Sequence, residues 1–178
     1  MTELAIAGEK GFELSLADAP RPGGEPNFTL ETLENLRSEL GAGSALFCLM
    51  GADSFFGLRK WHRAAEIPFV ASLIVASRPG EPLEDLRAGL PEGLALLDSG
   101  ATAGRGPGVE LREFQLANAR GERAPFYVLP GLHVEISATV IRRRMGEAAE
   151  PAPENAGANG AQVPAAVEAY IRERGLYR

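Results

Sequence analysis

Two apolar runs, Ala45-Leu-Phe-Cys-Leu-Met50 and Val70-Ala-Ser-Leu-Ile-Val-Ala76, and the fourteen residues Asp53 to Glu66 between them, decide the fold. Each run is continuous rather than alternating, the pattern of a strand covered on both faces of a parallel sheet. Gly51 closes the first run and Arg78-Pro-Gly80 the second. The span from Asp53 to Glu66 is long enough for a helix, and Pro68 is expected to end it, since proline lacks an N–H and crowds the preceding turn. Strand, helix, strand predicts two parallel strands joined by a right-handed crossover, and so an α/β protein with a parallel sheet.

Working outward, Leu30, Leu33, Leu36 and Leu40 recur at helical spacing, with Thr29 as N-cap, Glu31 and Glu34 in the first turn and Gly41 as the stop. Upstream, Pro20, Pro22, Gly23, Gly24 and Pro26 mark a loop, and before it Phe12, Leu14 and Leu16 alternate with Glu13 and Ser15 as a half-buried strand would. Downstream, Leu94–Leu97 and Phe126–Leu129 are further strand candidates. Residues 98–125, rich in Gly, Ala and Arg and without a sustained period, read as a loop insertion. Ile136 to Arg142 reads as a helix start capped by Ser137 or Thr139, and residues 151–162 as a linker. The last helix opens at Pro164, buries Val167, Tyr170 and Ile171, and stops at Gly175.

The chain has 178 residues, which suits a single domain, and its 45% apolar and 24% charged content is that of a globular, soluble protein. Eighteen basic against 24 acidic residues leave a net charge of −6, the wrong sign for holding a polyanion, so DNA and RNA are poor partners. The longest mainly apolar stretch, Ile67 to Ala76, is too short to cross a bilayer. The first residues, with Glu3, lack the basic start and long apolar stretch of a signal peptide. Cys48 is the sole cysteine, which excludes an internal disulfide and a cysteine-based zinc site and makes the cytoplasm the simplest compartment.

In open α/β sheets, ligands gather beyond the carboxyl ends of the strands. Asp53 stands there, placed either to cap the next helix or to bind a polar ligand group such as a ribose hydroxyl. Trp61, the only tryptophan, lies within Arg59-Lys-Trp-His-Arg63. It is suited either to anchoring its segment or to stacking on a planar ring while the cations meet an acid or a phosphate. His62 and His133 are the only histidines, and no Ser or Cys forms a nucleophile motif beside them. Ser137, Thr139 and Arg142 offer hydroxyls, a helix start and a guanidinium to a phosphate, or else a cap and a solvated basic run. Gly104-Arg-Gly-Pro-Gly108 fits no phosphate-loop pattern and reads as a loop.

Four segments, in order, resemble the bacterial nicotinate mononucleotide adenylyltransferase family. They are Pro26-Asn-Phe-Thr29 with Thr32-Leu33; Met50-Gly-Ala-Asp-Ser54 followed by Trp61; Ile136-Ser-Ala-Thr-Val-Ile-Arg142; and Val163-Pro164 with Tyr170-Ile171 and Gly175-Leu-Tyr177. The resemblance implies a Rossmann-like nucleotidyltransferase that joins nicotinate mononucleotide to the AMP part of ATP, with Mg²⁺ expected, releasing pyrophosphate in NAD synthesis. It implies that Thr29 and Trp61 hold the nicotinate ring and that main-chain N–H groups near Thr29 and His62 meet its carboxylate. It further implies that Asp53 helps place the nucleotides and that Ser137, Thr139 and Arg142 bind ATP phosphates.

Phe28 stands where the family often has Tyr, and Glu135 where a smaller polar residue is common. The larger departure is that the chain contains no Gly-Gly-Thr-Phe-Asp-Pro and no His-x-Gly-His, so no catalytic histidine carries over. By the resemblance, the first two strands and the first helix belong upstream, and Met1 is expected to be an internal methionine of a longer polypeptide. Two other functions stand beside this one: a related nucleotidyltransferase with another acceptor, and a non-catalytic nucleotide-binding remnant.

Overall fold

The computed structural model describes residues 1–41, 43–77, 86–106, 109–130, 139, 141–143 and 163–177, with backbone only for 98–106 and 109–110. The chain falls into two compact units, one of Met1–Leu16 with Glu135–Arg178 and one of Ala17–Val134.

Within the second unit the four leucines form helix α2, Thr29–Leu40. Its N-cap is Phe28, with no side-chain cap bond, and Thr29 is the first helical residue rather than the cap. Leu30 and Leu33 are buried. The two apolar runs form β1, Phe47–Gly51, and β2, Ser72–Ala76, paired in parallel with Leu49 opposite Ile74.

The long helix expected over Asp53 to Glu66 is corrected. That segment is a short helix α3, Ala52–Gly57, a 3-10 turn Leu58–Lys60, a bend at Trp61–Arg63 and a second 3-10 turn Ala64–Glu66. Trp61 turns extended at ψ 153° and Arg63 takes the left-handed region at φ 50°, and neither conformation can continue a right-handed helix. Pro68 does not end a helix either; it stands in the first turn of α4, Ile67–Val70, where a missing N–H costs nothing.

Helix α5, Leu86–Gly89, precedes β3, Leu94–Gly106, followed by β4, Val109–Asn118, and β5, Arg123–Leu129. The loop expected over 98–125 is therefore corrected to strand for most of its length. Small and basic residues carry little strand preference of their own, but ladder pairing with β4 and β5 supplies what local preference does not. The sheet runs β1-β2-β5-β4-β3. It is parallel through β1, β2 and β5 and antiparallel through β5, β4 and β3, so the fully parallel sheet is corrected to a mixed one. At the β4–β5 turn, Asn118 Oδ1 accepts from the backbone N–H groups of Arg120 and Glu122, at 3.0 and 3.1 Å.

One face of this sheet is the core. Met50, Leu73, Val75, Leu116, Phe126 and Val128 pack with Leu30, Leu33, Phe55, Leu58 and Ile67. The rings of Phe55 and Phe126 stack at 5.5 Å and 21°. Gly89 passes so close that a Cβ there would stand 2.5 Å from the Phe55 ring, which explains a glycine inside α5.

In the other unit, α1, Thr2–Ile6, and α6, Ala165–Glu173, contribute to a small core of Val163, Val167 and Ile171, with Leu4, Ile141 and Leu176 packed against it. Tyr170 is only half-buried. Helix α6 ends in a Schellman turn: Gly175, at φ 60°, donates to Arg172 O, and the Leu176 N–H reaches Ile171 O at 3.0 Å. The strand expected at Phe12, Leu14 and Leu16 does not form, and all three side chains are exposed. Alternation marks a segment fit for a ladder, but a strand exists only where a partner strand accepts its hydrogen bonds.

Candidate functional site

The carboxyl ends of β1, β2 and β5 lead into Ala52, Ser77 and Pro130. At the end of β1, Asp53 is the second residue of α3 and is exposed. Gly51 is the N-cap, so the capping role considered for Asp53 is not the one it fills. A carboxylate in the first turn still faces the positive end of the helix dipole. Ser77, the polar residue buried just past β2, was not singled out by any sequence pattern; its N–H donates to Leu129 O at 3.1 Å.

Thr29, Trp61 and His62 belong to two segments that the fold brings together. The loop before α2 is pinned to the helix: Asn27 Nδ2 donates to Asp18 O and Ala19 O at 3.1 and 2.8 Å, and Thr32 Oγ1 donates to Asp18 Oδ1 at 3.1 Å. Arg21 pairs with Glu31 at 3.1 Å. This delivers Phe28, whose ring lies 4.3 Å from the His62 imidazole at 32°. Thr29 is half-buried beside it, at the opening of α2, where the first N–H groups lack intrahelical acceptors.

Trp61 is half-buried, resting against the core while its N–H closes the 3-10 turn onto Leu58 O at 2.9 Å. The anchoring of its segment is thus seen, and the part of the side chain that stays accessible leaves room for a ligand. The next residue but one, Arg63, donates from Nε and Nη2 to the two oxygens of Glu66, at 2.9 and 2.7 Å, and stands 3.8 Å from Glu34 on α2. Those hydrogen bonds hold the Glu66 carboxyl below its ordinary pKa, so the pair persists at neutral pH and is lost as pH falls through that lowered value. Arg59 and Lys60 are exposed and have no carboxylate partner among the described residues. A cationic edge therefore flanks Trp61 on a chain whose net charge is −6.

Of the three residues assigned to phosphates, Ser137 lies outside the described residues, as does His133. Thr139 is helical and exposed. Arg142 is exposed, with its guanidinium 5.9 Å from the centre of the Tyr177 ring. Tyr177 is the other non-glycine residue with positive φ among the described residues, at 67°. This contact has no signature in local spacing, because it spans 35 residues of chain (177 − 142).

Cys48 is half-buried inside β1, where burial pushes its thiol pKa up, consistent with a core residue rather than a nucleophile. Among the described residues no three His, Cys, Asp or Glu side chains converge as a metal site, and no helix is long and apolar enough to cross a membrane. A cavity of about 280 Å³ lies at the opposite, amino ends of the parallel strands, lined in part by Arg37, Ser44, Ser72 and Arg123, and holds none of the candidate residues.

No protein-family model matches the chain. Individual proteins do. A probable nicotinate-nucleotide adenylyltransferase of Yersinia pestis is 35% identical over 182 residues, spanning all of this chain and 70% of that protein. One from Pelobacter propionicus is 33% identical over 99% of this chain and 72% of its own length. One from Stenotrophomonas maltophilia is 44% identical over 87 residues, 47% of this chain. Identity at this level along the whole chain, on an α/β core that presents Asp53 and Trp61 after the first parallel strand, places the chain in the nicotinate-nucleotide adenylyltransferase family.

Proposed function

We propose that this chain carries the pyridine-nucleotide and ATP contacts of an adenylyltransferase that joins nicotinate mononucleotide to the AMP part of ATP, forming deamido-NAD and pyrophosphate. The observation that carries the reading is identity with relatives of that name over the full length of the chain. Trp61 stacks on the pyridine ring. The free N–H groups at the opening of α2, by Thr29, and the backbone at His62 receive the carboxylate. Arg59 and Lys60 supply the positive field that favours an acid over the neutral amide. Asp53 helps place the nucleotides at the strand end. Ser137, Thr139 and Arg142 hold ATP phosphates, with Arg142 steadied by the Tyr177 ring.

In-line attack of one phosphate on another needs positioning and charge neutralisation rather than a covalent enzyme intermediate. Mg²⁺ commonly arrives with nucleotide phosphates and keeps several waters, so it requires no protein cage of three carboxylates. The chain contains no His-x-Gly-His, and full turnover is assigned to a polypeptide that also contributes that segment. The same observation favours a second reading, a nucleotide-binding protein without turnover.

A pyrophosphate-release assay with ATP and nicotinate mononucleotide separates the two when run on this chain and on an N-terminally extended form. Turnover in the extended form supports the first reading, and turnover in neither supports the second. In an active form, Trp61→Ala is expected to raise the KM for nicotinate mononucleotide by about 1–3 kcal/mol of lost stacking. An unchanged KM removes the stacking role. Arg142→Ala is expected to weaken ATP instead, and an effect confined to the pyridine substrate overturns that assignment.

A further inference from the structure

We propose that Phe28, His62 and Arg63 form a clamp that fixes the Trp61 bend against the opening of α2, making them positioning residues for the pyridine ring. The proposal rests on the reading of Trp61 as the stacking platform. The bend of Trp61–Arg63 lies between two 3-10 turns and is in no helix or strand of its own; backbone bonds tie its ends to those turns, Trp61 N–H to Leu58 O and Glu66 N–H to Arg63 O, and its approach to α2 is left to its side chains. Two consecutive side chains grip α2 or its cap. His62 lies on the Phe28 ring at 4.3 Å, and Arg63 approaches Glu34 at 3.8 Å while forking onto Glu66 at 2.9 and 2.7 Å.

Arg63 takes a φ of 50°, a region that glycine enters freely and a residue with a Cβ does not. An arginine there accepts backbone strain and in return places its fork across Glu66 and Glu34. Its side chain and both partners are more than 40% exposed, and exposed pairs add little to global stability. Their consequence is therefore local: they set the angle at which the bend leaves the core, and hence the distance between Trp61 and Thr29. A platform held before the ligand arrives binds more tightly than one that must be ordered on binding.

Trp61 is the only tryptophan, so its fluorescence reports this bend alone. Nicotinate mononucleotide titrated into the full chain is expected to quench it. His62→Ala and Arg63→Ala are each expected to weaken the titration about three- to tenfold and to lower the Trp61 anisotropy. His62→Phe, which keeps a ring for Phe28, restores both. Arg63→Gly, which relieves the backbone but loses the fork, does not. Unchanged affinity and anisotropy in His62→Ala and Arg63→Ala overturn the clamp, as does a loss in His62→Phe equal to that in His62→Ala. Absence of quenching in the unaltered chain defeats the stacking role of Trp61 instead, and the clamp is then judged on anisotropy, a fall supporting it and no change overturning it.

Discussion

The two faces of the parallel half of the sheet carry similar side chains and lead opposite lives. On one, Leu73, Val75 and Phe126 are fully buried beneath α2, α3 and α4. On the other, Phe47 and Leu49 are 49% and 67% exposed, and Ile74, Tyr127 and Leu129 are only half-buried. Phe47, Ile74 and Tyr127, with Leu111 and Glu113 of β4, line a cavity of about 410 Å³ on that face. A continuous apolar run marks a strand built for cover on both sides, but only the face on which helices converge becomes a core. The other retains apolar surface of the kind that drives association.

Substitutions on the two faces put this contrast at risk. Phe126→Ala removes a ring packed against both Phe55 and Phe114 and is expected to lower stability by about 3–5 kcal/mol in urea denaturation. A loss under 1 kcal/mol would mean that the helical face is not the tight core described. Gly89→Ala probes the same face from the helix side. Its methyl must displace the Phe55 ring, and a loss of about 1–3 kcal/mol is expected; a neutral result would show that the ring moves aside freely. Leu49→Lys, on the exposed face, is expected to change stability by no more than about 0.5 kcal/mol and to reduce self-association in light scattering. A large loss there would show that Leu49 is packed in solution and would erase the difference between the faces.

The candidate site divides in the same way between what is local and what is not. The α2 leucines, Thr29 at the opening of that helix, and Asp53 just past β1 were legible because each follows from spacing along one element. Trp61 was legible as a chemical oddity, a lone indole among cations. The Phe28–His62 contact was not, since 34 residues separate the partners (62 − 28) and no pattern in either segment refers to the other. The Arg142–Tyr177 contact was hidden for the same reason. The single helix expected over Asp53 to Glu66 failed because Phe55, Leu58 and Ile67 face the core at near-helical spacing although the backbone between them bends. Burial of those side chains does not require an unbroken helix.

By itself, the sequence determined the α/β class, the parallel β1–β2 pair, the α2 helix and the ordered motifs of a nicotinate-nucleotide adenylyltransferase, all of which rest on residue type and short-range spacing. Tertiary structure alone decided that β3 and β4 extend the sheet antiparallel, which face of β1 and β2 is buried, and how the Trp61 bend is held. The physical reason is common to all three. Each depends on hydrogen bonds or packing between residues far apart in the chain, whose energies exist only once the partners have met.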